Sequence, residues 1–333
     1  MRSVIFAITL SCLILLSTLV AASPDQPQQL VLIINSYGPS FSWTKAHNTA
    51  LVQTLGAGVR SIVFNMETKE LPQQTHRAQS DKAFAAYRLA QPDLVVLTDD
   101  NAVKLLGQRL VDDGARVVYL GLNSNPRAYF TNPSMVTGVL ERPLFKRSIL
   151  LACKILAPTL NKALILFDSS ATSRALRKEV FPGPSADMIS SVQVDFLDTD
   201  SQKTWKSAIL KAKDAGYGLI ALGLRHTLRD AQGRHVDPDE ATLWASRNSP
   251  LPLFGFWDFD VGPGRTLGGM VLSGENHGNI AGQIALRVLA GEKVQNIPAI
   301  HDRHGLILFS KSELARVGIV LPQEILQNAT LID

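Results

Sequence analysis

The chain has 333 residues, 46% of them hydrophobic, and a formal net charge of +4 at pH 7. This length and apolar content suit one large or two medium-sized globular domains. Lysine and arginine are scattered along most of the chain, so the modest positive charge gives little support for a nucleic-acid partner, and we expect none.

The first residues have the pattern of an export signal. Arg2 is followed by the apolar run Val4–Val20, and Ala22 precedes the polar stretch Pro24–Gln29. A basic start, an apolar core and small residues before a polar stretch are typical of a secretory signal peptide, which we place at residues 1–22. The alternative is an uncleaved membrane anchor, but the apolar run is slightly short for a span of about 20 residues. We therefore expect a soluble protein exported to the periplasm.

Strands and helices alternate through the first half of the remaining chain. Short apolar runs bounded by turn residues predict strands, and apolar residues at helical spacing predict helices. The predicted strands are Leu30–Ile34, Ser61–Phe64, Leu94–Leu97, Val117–Leu120 and Met135–Val139. The predicted helices are Trp43–Leu55, Gln74–Ala90 and Ala102–Val111.

A second alternation of strands and helices follows. Its predicted strands are Ala163–Phe167, Ile189–Phe196, Gly218–Leu222, Pro252–Phe256, Gly269–Leu272 and Leu306–Phe309. Its predicted helices are Leu144–Leu156, Arg174–Val180, Thr204–Ala215 and Ile280–Leu289. Two successive α/β units of comparable size predict parallel sheets covered by helices on both faces. The junction near Val139–Pro143 is not glycine-rich, which predicts a packed hinge.

The segment from Pro92 to Pro126 indicates a binding cleft. Two predicted strands within it end abruptly in small hydrogen-bonding residues, at Thr98–Asn101 and at Gly121–Asn125. In an open parallel α/β sheet, ligands bind at the carboxyl ends of the strands, where helix N-termini leave free N–H groups. Because similar polar residues follow other strands of both units, we expect them to face one cleft.

Polar residues at these strand ends, and aromatic residues beside them, form the candidate ligand-binding set. Aromatic side chains commonly wall a ligand pocket in which a few polar groups fix the orientation. For any single Ser, Thr, Asp or Asn the alternative is helix N-capping, worth ~1 kcal/mol each. Taken together across both units, they favour a cleft. The candidates are Asn35, Ser36, Tyr37, Trp43, Thr98, Asp99, Asn101, Asn123, Asn125, Asp168, Ser169, Trp257, Asp258 and Glu275.

Signals for catalysis, metals or cofactors are weak. The chain has no CxxC, HExxH, GxSxG or Walker sequence, and no pair of residues stands out as an acid–base couple. His301 and His304 have no obvious third ligand, which is more typical of turn histidines than of zinc. Cys153 is the only cysteine beyond the signal peptide, so no intrachain disulfide is expected.

The basic patch Arg225–His235 predicts a solvated helix face, with a docking surface for an acidic partner as the alternative. We expect no catalytic residue, no metal and no cofactor.

Several segments together resemble one protein family. They read VLIINSYGPSFSW, PDLVVLTDDNAVKLL, VVYLGLNSNP, VTGVLERP, HGNIAGQIALRVLAGEKVQNIPAI and SKSELARVGIVLPQEIL, in chain order. In this order they resemble the type I periplasmic substrate-binding proteins of ABC transporters. Within those, they are most similar to the mostly uncharacterised group that includes tryptophan- and tyrosine-type binding proteins. The outer sensing domains of bacterial receptors look similar as well.

The resemblance implies two Rossmann-like lobes joined by three crossovers, with a ligand enclosed between them by hinge motion. It places the N-terminal lobe at residues 28–139 plus about 270–300, and the C-terminal lobe at 140–269 plus about 301–333. The strand-end residues named above would then face the ligand.

The implied function is capture of a small solute and its delivery to an ABC permease, by a monomer. One alternative is a sensing role, in which the protein docks on a membrane receptor or signalling protein. Another is an exported enzyme that uses the same cleft. An amino acid is favoured as the ligand, because Asp99, Asp100 and Glu275 could hold an ammonium group and a helix N-terminus could hold a carboxylate. A sugar remains the alternative ligand.

Overall fold

The computed structural model describes residues 28–156, 160–180 and 186–333. The predicted signal peptide, residues 1–22, lies outside the described residues. Within the described ranges no helix is both long and apolar enough to span a membrane.

Five strands and three helices form the first part of the chain, in the predicted order. The strands are β1 (Gln29–Asn35), β2 (Val59–Asn65), β3 (Leu94–Thr98), β4 (Val117–Leu122) and β5 (Val136–Leu140). The helices are α1 (Ser42–Leu55), α2 (His76–Ala90) and α3 (Asp99–Asp112).

The second part contains more elements than the sequence predicted. Its strands are β6 (Lys162–Phe167), β7 (Ala186–Ile189), β8 (Val192–Asp198), β9 (Leu219–Leu222), β10 (Leu253–Gly255) and β11 (Gly268–Val271). Its helices are α4 (Phe145–Leu156), α5 (Ala171–Val180), α6 (Gln202–Lys211) and α7 (Pro238–Asn248). The chain ends with α8 (Gly274–Leu289), β12 (Ile300–His301), β13 (Leu306–Ser310), α9 (Lys311–Val317), α10 (Gln323–Leu326) and β14 (Thr330–Ile332).

Two sheets organise the molecule into two Rossmann-like lobes. The first lobe is built on a six-stranded sheet of order β12-β5-β4-β3-β1-β2, in which every pairing is parallel. The second lobe is built on an eight-stranded sheet of order β14-β13-β11-β10-β9-β6-β8-β7. The chain passes between the sheets after β5, after β11 and after β12, so three segments connect the lobes. The α/β fold predicted from the sequence is confirmed.

The apolar strands are buried on both faces. On β1, Leu32 and Ile34 pack with α3 on one side of the sheet, whereas Val31 and Ile33 pack with α1 and α8 on the other. Successive side chains of a strand point to opposite faces, so a strand covered by helices on both sides is apolar throughout. This explains the uninterrupted LVLII run of β1.

The second sheet is mixed where a parallel sheet was expected. β7 pairs with β8 and β11 pairs with β13 in the antiparallel direction, towards the two edges of the sheet. The strand predicted at Ile189–Phe196 was wrong in its extent, because the chain turns at Ser190 (φ 57°) and forms a hairpin. Helix α7 was missed, although Asp237 caps its first turn and Pro238 starts it.

The basic patch Arg225–His235 is not a solvated helix face. It is an irregular segment ahead of α7, and Arg225 in it is 1% exposed and paired with buried Asp260 through Nη2 and Oδ1 at 2.5 Å. The patch therefore has fewer free charges than its sequence suggests.

Candidate ligand-binding site

A cavity of about 430 Å³ lies between the two lobes at the carboxyl ends of their strands. A second cavity of about 670 Å³ shares lining residues with it, among them Phe41, Lys69 and Phe259, and extends towards His235 and Asp237. Both lobes supply walls of the inner cavity, as expected for a cleft at strand ends.

Eight of the candidate residues line the inner cavity: Tyr37, Trp43, Asp99, Asn101, Asn123, Asp168, Ser169 and Trp257. They come from the ends of β1, β3, β4, β6 and β10 or from the segments that follow them. The structure thus brings both predicted units to one space. Contact of these residues with a ligand stays a prediction.

Three of the remaining candidates form a buried network behind the cavity. Ser36 Oγ donates to the Thr98 carbonyl at 2.6 Å and accepts the Ala102 N–H at 2.7 Å. Thr98 Oγ1 in turn donates to Asn35 Oδ1 at 3.1 Å. The Ser36 hydroxyl thus bonds a free N–H group in the first turn of α3, as the capping alternative expects, and Asn35 and Thr98 join the start of α3 to the end of β1.

The other three candidates also lie away from the inner cavity. Asn125 accepts the Arg127 N–H at 3.0 Å in a short turn, and Asp258 accepts the Gly274 N–H at 3.0 Å where α8 begins. Glu275 is exposed on the outer surface of α8. Asn125 and Asp258 therefore stabilise backbone turns, and Glu275 is not placed to hold a ligand in this cavity.

Several side chains line the cavity without having been candidates. They include Lys69, Glu141, Thr172, His226 and Phe259. Glu141 stands in VTGVLERP, one of the segments that carry the family resemblance. Lys69 follows β2 in a loop with no recognisable motif, and only the folded structure shows where it lies.

Aromatic rings from both lobes meet in the cavity. Phe41 of the first lobe packs edge-on against His226 at 5.0 Å and Phe259 at 5.6 Å between ring centroids. Trp257 stacks on Phe259 at 6.1 Å, and Trp43 contacts the same ring edge-on at 6.4 Å. The lobes are therefore in direct contact through these rings, which wall an apolar space.

Two buried carboxyl groups, Asp99 and Glu141, lie at the inner end of this space. Asp99 Oδ1 accepts the Trp43 indole N–H at 3.2 Å. Glu141 accepts the Trp257 indole N–H at 2.7 Å, which links the lobes. A Cβ atom at Gly121 would lie 3.1 Å from Asp99 Oδ1 and 3.6 Å from Glu141 Oε2, so both carboxyl groups border one small volume.

Burial raises the pKa of both carboxyl groups. It raises the pKa of Glu141 to about 7, and burial together with the charge of Glu141 raises the pKa of Asp99 well above its usual value. Asp99 is also held at a positive φ of 60°, which a non-glycine residue adopts only when its surroundings enforce it. Such a pair is costly to ionise unless a cation binds beside it.

The carboxylate of the neighbouring Asp100 is hydrogen-bonded to backbone N–H groups. It accepts the backbone N–H groups of Asn123 at 3.0 Å and Ser124 at 2.9 Å. These bonds attach the start of α3 to the end of β4, so Asp100 shapes the cavity wall and does not line it.

The N-terminus of α5 faces the cavity from the second lobe. Ser169, Ser170 and Thr172 line the cavity there. The Thr172 side chain lies close to the Tyr37 hydroxyl of the first lobe. A helix N-terminus with hydroxyl groups favours a bound anion such as a carboxylate.

In the ranges that the structure describes, no three or more His, Cys, Asp or Glu side chains are grouped so as to hold a metal ion.

Known proteins resemble this chain in structure and not in sequence. No family model and no curated protein sequence matches it. An ABC domain from Streptococcus pneumonia, solved in complex with L-Trp, superimposes with a TM-score of 0.64 at 16% identity, covering 92% of this chain and all of the other. The fold is that of the type I periplasmic binding proteins.

Two further solved structures of substrate- or solute-binding proteins agree with the type I fold. A ligand-free, open substrate-binding protein with adhesive properties from Clostridium difficile gives a TM-score of 0.61 at 13% identity, covering 92% of this chain and 99% of the other. An ABC transporter solute-binding protein from Bacillus halodurans with bound myo-inositol gives 0.51 at 9% identity, covering 92% and 98%. At these identities the likeness establishes the type I fold alone.

Proposed function

We propose that this protein is an exported solute-binding protein that holds a free amino acid between its lobes. The observation that carries the proposal is the inner cavity, in which two buried carboxyl groups and a helix N-terminus face a space walled by aromatic rings. A cavity of about 430 Å³ is within the size range of small-molecule sites.

The ammonium group of the ligand would lie beside Asp99 and Glu141. Their raised pKa values reflect buried acids without a contacting cation, and a bound ammonium supplies one. A neutral sugar would leave that need unmet, which favours an amino acid over a sugar.

The other two parts of an amino acid have complementary surfaces. The carboxylate would meet the N-terminus of α5 at Ser170 and Thr172. The side chain would lie against Trp43, Trp257 and Phe259, which favours an aromatic or large apolar side chain.

Closure of the lobes would complete the site. Glu141, which directly follows β5 of the first sheet, is bonded to Trp257 of the second lobe, and Tyr37 lies close to Thr172 across the cleft. Residues that touch ligand and the other lobe at once would couple binding to closure. Delivery of the ligand to an ABC permease in the periplasm is the role we propose for the closed form.

A thermal-shift screen of the signal-free protein, followed by calorimetry, tests the proposal. The probes are the twenty amino acids, common sugars and small carboxylates. A ligand at a hundredfold excess over its Kd stabilises the folded state by about 2.7 kcal/mol. A shift confined to amino acids supports the proposal, a shift confined to sugars overturns the ligand class, and no shift with any probe overturns solute binding.

An exported enzyme is the second candidate, and one observation favours it. Buried carboxyl groups with raised pKa values in a cleft are also what acid–base catalysis requires. Chromatography and mass spectrometry of each binding probe after long incubation separate the two functions. Unchanged ligand supports a binding protein, whereas a product formed by wild type and lost in Asp99→Asn establishes an enzyme.

The identity of the protein that binds the closed form distinguishes a transport role from a sensing role. A permease and an ATPase encoded beside this chain would support delivery to an importer. A receptor kinase or cyclase there would support docking on a signalling protein, and ligand-dependent binding to the purified neighbour would decide.

A further inference from the structure

Lys69 places a positive charge inside the cavity. Its side chain is half-buried and lines both the inner and the outer cavity. The ammonium lies 3.4 Å from the ring centroid of Phe41 and 4.2 Å from that of Tyr37. It forms no hydrogen bond or ion pair with any residue that the structure describes, so its three N–H donors are open to the cavity.

The Lys69 ammonium lies near the place that we propose for the ligand carboxylate. Tyr37, over which the ammonium lies, has its hydroxyl close to Thr172 at the N-terminus of α5. The ammonium therefore lies between the Asp99 carboxyl, the charge that acts on it most strongly, and the helix N-terminus at which the proposed ligand carboxylate would lie. Contact with aromatic faces alone is a weak substitute for a hydrogen-bonded counter-ion.

The electrostatic surroundings of Lys69 favour an anion beside its ammonium group. Removal from bulk water lowers the pKa of Lys69 to about 7, although Asp99, Asp168 and Glu141 act in the opposite direction. A ligand carboxylate in contact would raise this pKa and hold the lysine charged.

The other basic side chains near the cavity are occupied or exposed. Arg225 is paired with Asp260, and burial lowers the pKa of His226 well below its usual value, which keeps the imidazole neutral. Lys104 and Arg229 line the cavity from exposed positions. Among the described lysine and arginine side chains that line the inner cavity, Lys69 is the half-buried one with open donors.

We propose that Lys69 makes the site selective for ligands that carry a carboxylate as well as an ammonium group. The inference rests on the proposed amino-acid binding and names the residue that sets its specificity. A zwitterion satisfies the acids and Lys69 together, whereas the corresponding amine meets the acids but is repelled by the Lys69 charge and leaves it unpaired.

The test compares amino acids with their decarboxylated amines in wild type, Lys69→Met and Lys69→Arg. The probe pairs are L-tryptophan with tryptamine, L-tyrosine with tyramine, and L-leucine with 3-methylbutylamine, measured by calorimetry. Lys104→Met is the matched control, because it removes a lysine charge from the exposed rim of the same cavity. Thermal midpoints without ligand verify that each variant is folded.

We expect wild type to bind at least one amino acid at least 30-fold more tightly than its amine. Lys69→Met should weaken the amino acid about 30-fold and leave the amine unchanged or tighter, since the loss of a buried charge partner acts on the carboxylate alone. Lys69→Arg should retain part of the selectivity, and Lys104→Met all of it.

Two kinds of failure can be told apart. If Lys69→Met binds the amino acid as wild type does, or weakens amino acid and amine equally, the role of Lys69 is overturned while amino-acid binding stands. If folded wild type binds none of the six compounds and no other amino acid, the proposed ligand class fails and the role of Lys69 fails with it.

Discussion

The Glu141 carboxylate accepts hydrogen bonds from residues of both lobes. Glu141 follows β5 in the first lobe, and its oxygens accept from Trp257 Nε1 of the second lobe and from Asn123 Nδ2 at 3.2 Å. Both donors are neutral, so they orient the carboxylate without cancelling its charge. A cation bound in the cavity would neutralise the charge of the Glu141 carboxylate.

Replacing Glu141 with Gln should weaken an ammonium ligand. The change keeps the size of the side chain and removes the charge that would attract the ligand, so we expect the Kd to rise about 10- to 100-fold, or ~1.4–2.7 kcal/mol. Calorimetry with the best amino acid from the screen measures it. Glu275→Gln is the control, because Glu275 is exposed outside the cavity. Equal affinities of Glu141→Gln and wild type would remove Glu141 from the proposed site.

Glu141 should also make the ligand-free protein less stable as pH rises. Its pKa is about 7 in the folded protein, above the ordinary value of 4.5, so between these values the folded state holds a proton that the unfolded state has lost. The free energy of unfolding therefore falls with rising pH in this window, by at most ~1.4 kcal/mol per pH unit from this group. Chemical denaturation at pH 5, 6 and 7 should show the fall in wild type relative to Glu141→Gln. Parallel curves for the two proteins would contradict the raised pKa.

Part of the cavity lining was predictable from the sequence, where the strand-end position of a residue determines its role. Trp43 and Trp257 were expected to wall the cleft, and they do line the cavity. Ser36 has the same strand-end position but caps α3, because a short hydroxyl next to free N–H groups bonds the backbone first. Lys69 reaches the cavity from a loop, and no local pattern encodes where a long, flexible side chain ends.

Close packing of α1 on α8 determines how the first lobe is covered. A Cβ atom at Gly278 would lie 2.2 Å from the backbone carbonyl oxygen of His47, so the two helices approach to a distance that only glycine permits. Trp43, at the start of α1, is thereby held beside the cavity.

Gly278→Ala should destabilise the protein, since the helices must separate to admit a methyl group. We expect the free energy of unfolding to fall by about 1–3 kcal/mol. Gly58→Ala is the control, because nothing lies within 4 Å of a Cβ atom there. Urea denaturation of both variants measures the difference, and a Gly278→Ala protein as stable as Gly58→Ala would show that the helices can move apart freely.

At the scale of elements, periodicity predicted the parallel core and failed at its margins. The buried runs of β1, β3 and β4 had no competing interpretation, and each is a strand. The β7–β8 hairpin was missed because the two strands are separated only by a two-residue turn, Ser190 and Ser191, without glycine. Helix α7 carries the cap signal Asp237-Pro238 but only a weak apolar stripe, and the basic residues before it suggested a helix in the wrong place.

At the scale of the whole molecule, the lobes meet through a small set of rings at the mouth of the cavity. Phe41 packs against His226 and Phe259 of the second lobe, and the Lys69 ammonium lies over the Phe41 ring at 3.4 Å from its centroid. Each ring contact of this kind contributes ~0.5–1.5 kcal/mol beyond its buried area. Their sum is comparable to the free-energy differences that separate open and closed states of two-lobed proteins.

Phe41→Ala should therefore shift the ligand-free protein towards an open arrangement of the lobes. Loss of both ring contacts favours opening, so the radius of gyration from X-ray scattering should rise, and saturating ligand should reduce it again. Phe84→Ala is the matched control, because Phe84 is an equally half-buried ring that packs on Tyr87 and Arg109 within the first lobe. That variant should lose stability without changing the scattering. If Phe41→Ala and Phe84→Ala scatter alike, the rings at the cavity mouth do not hold the lobes together, and closure must depend on polar contacts such as the Trp257–Glu141 hydrogen bond.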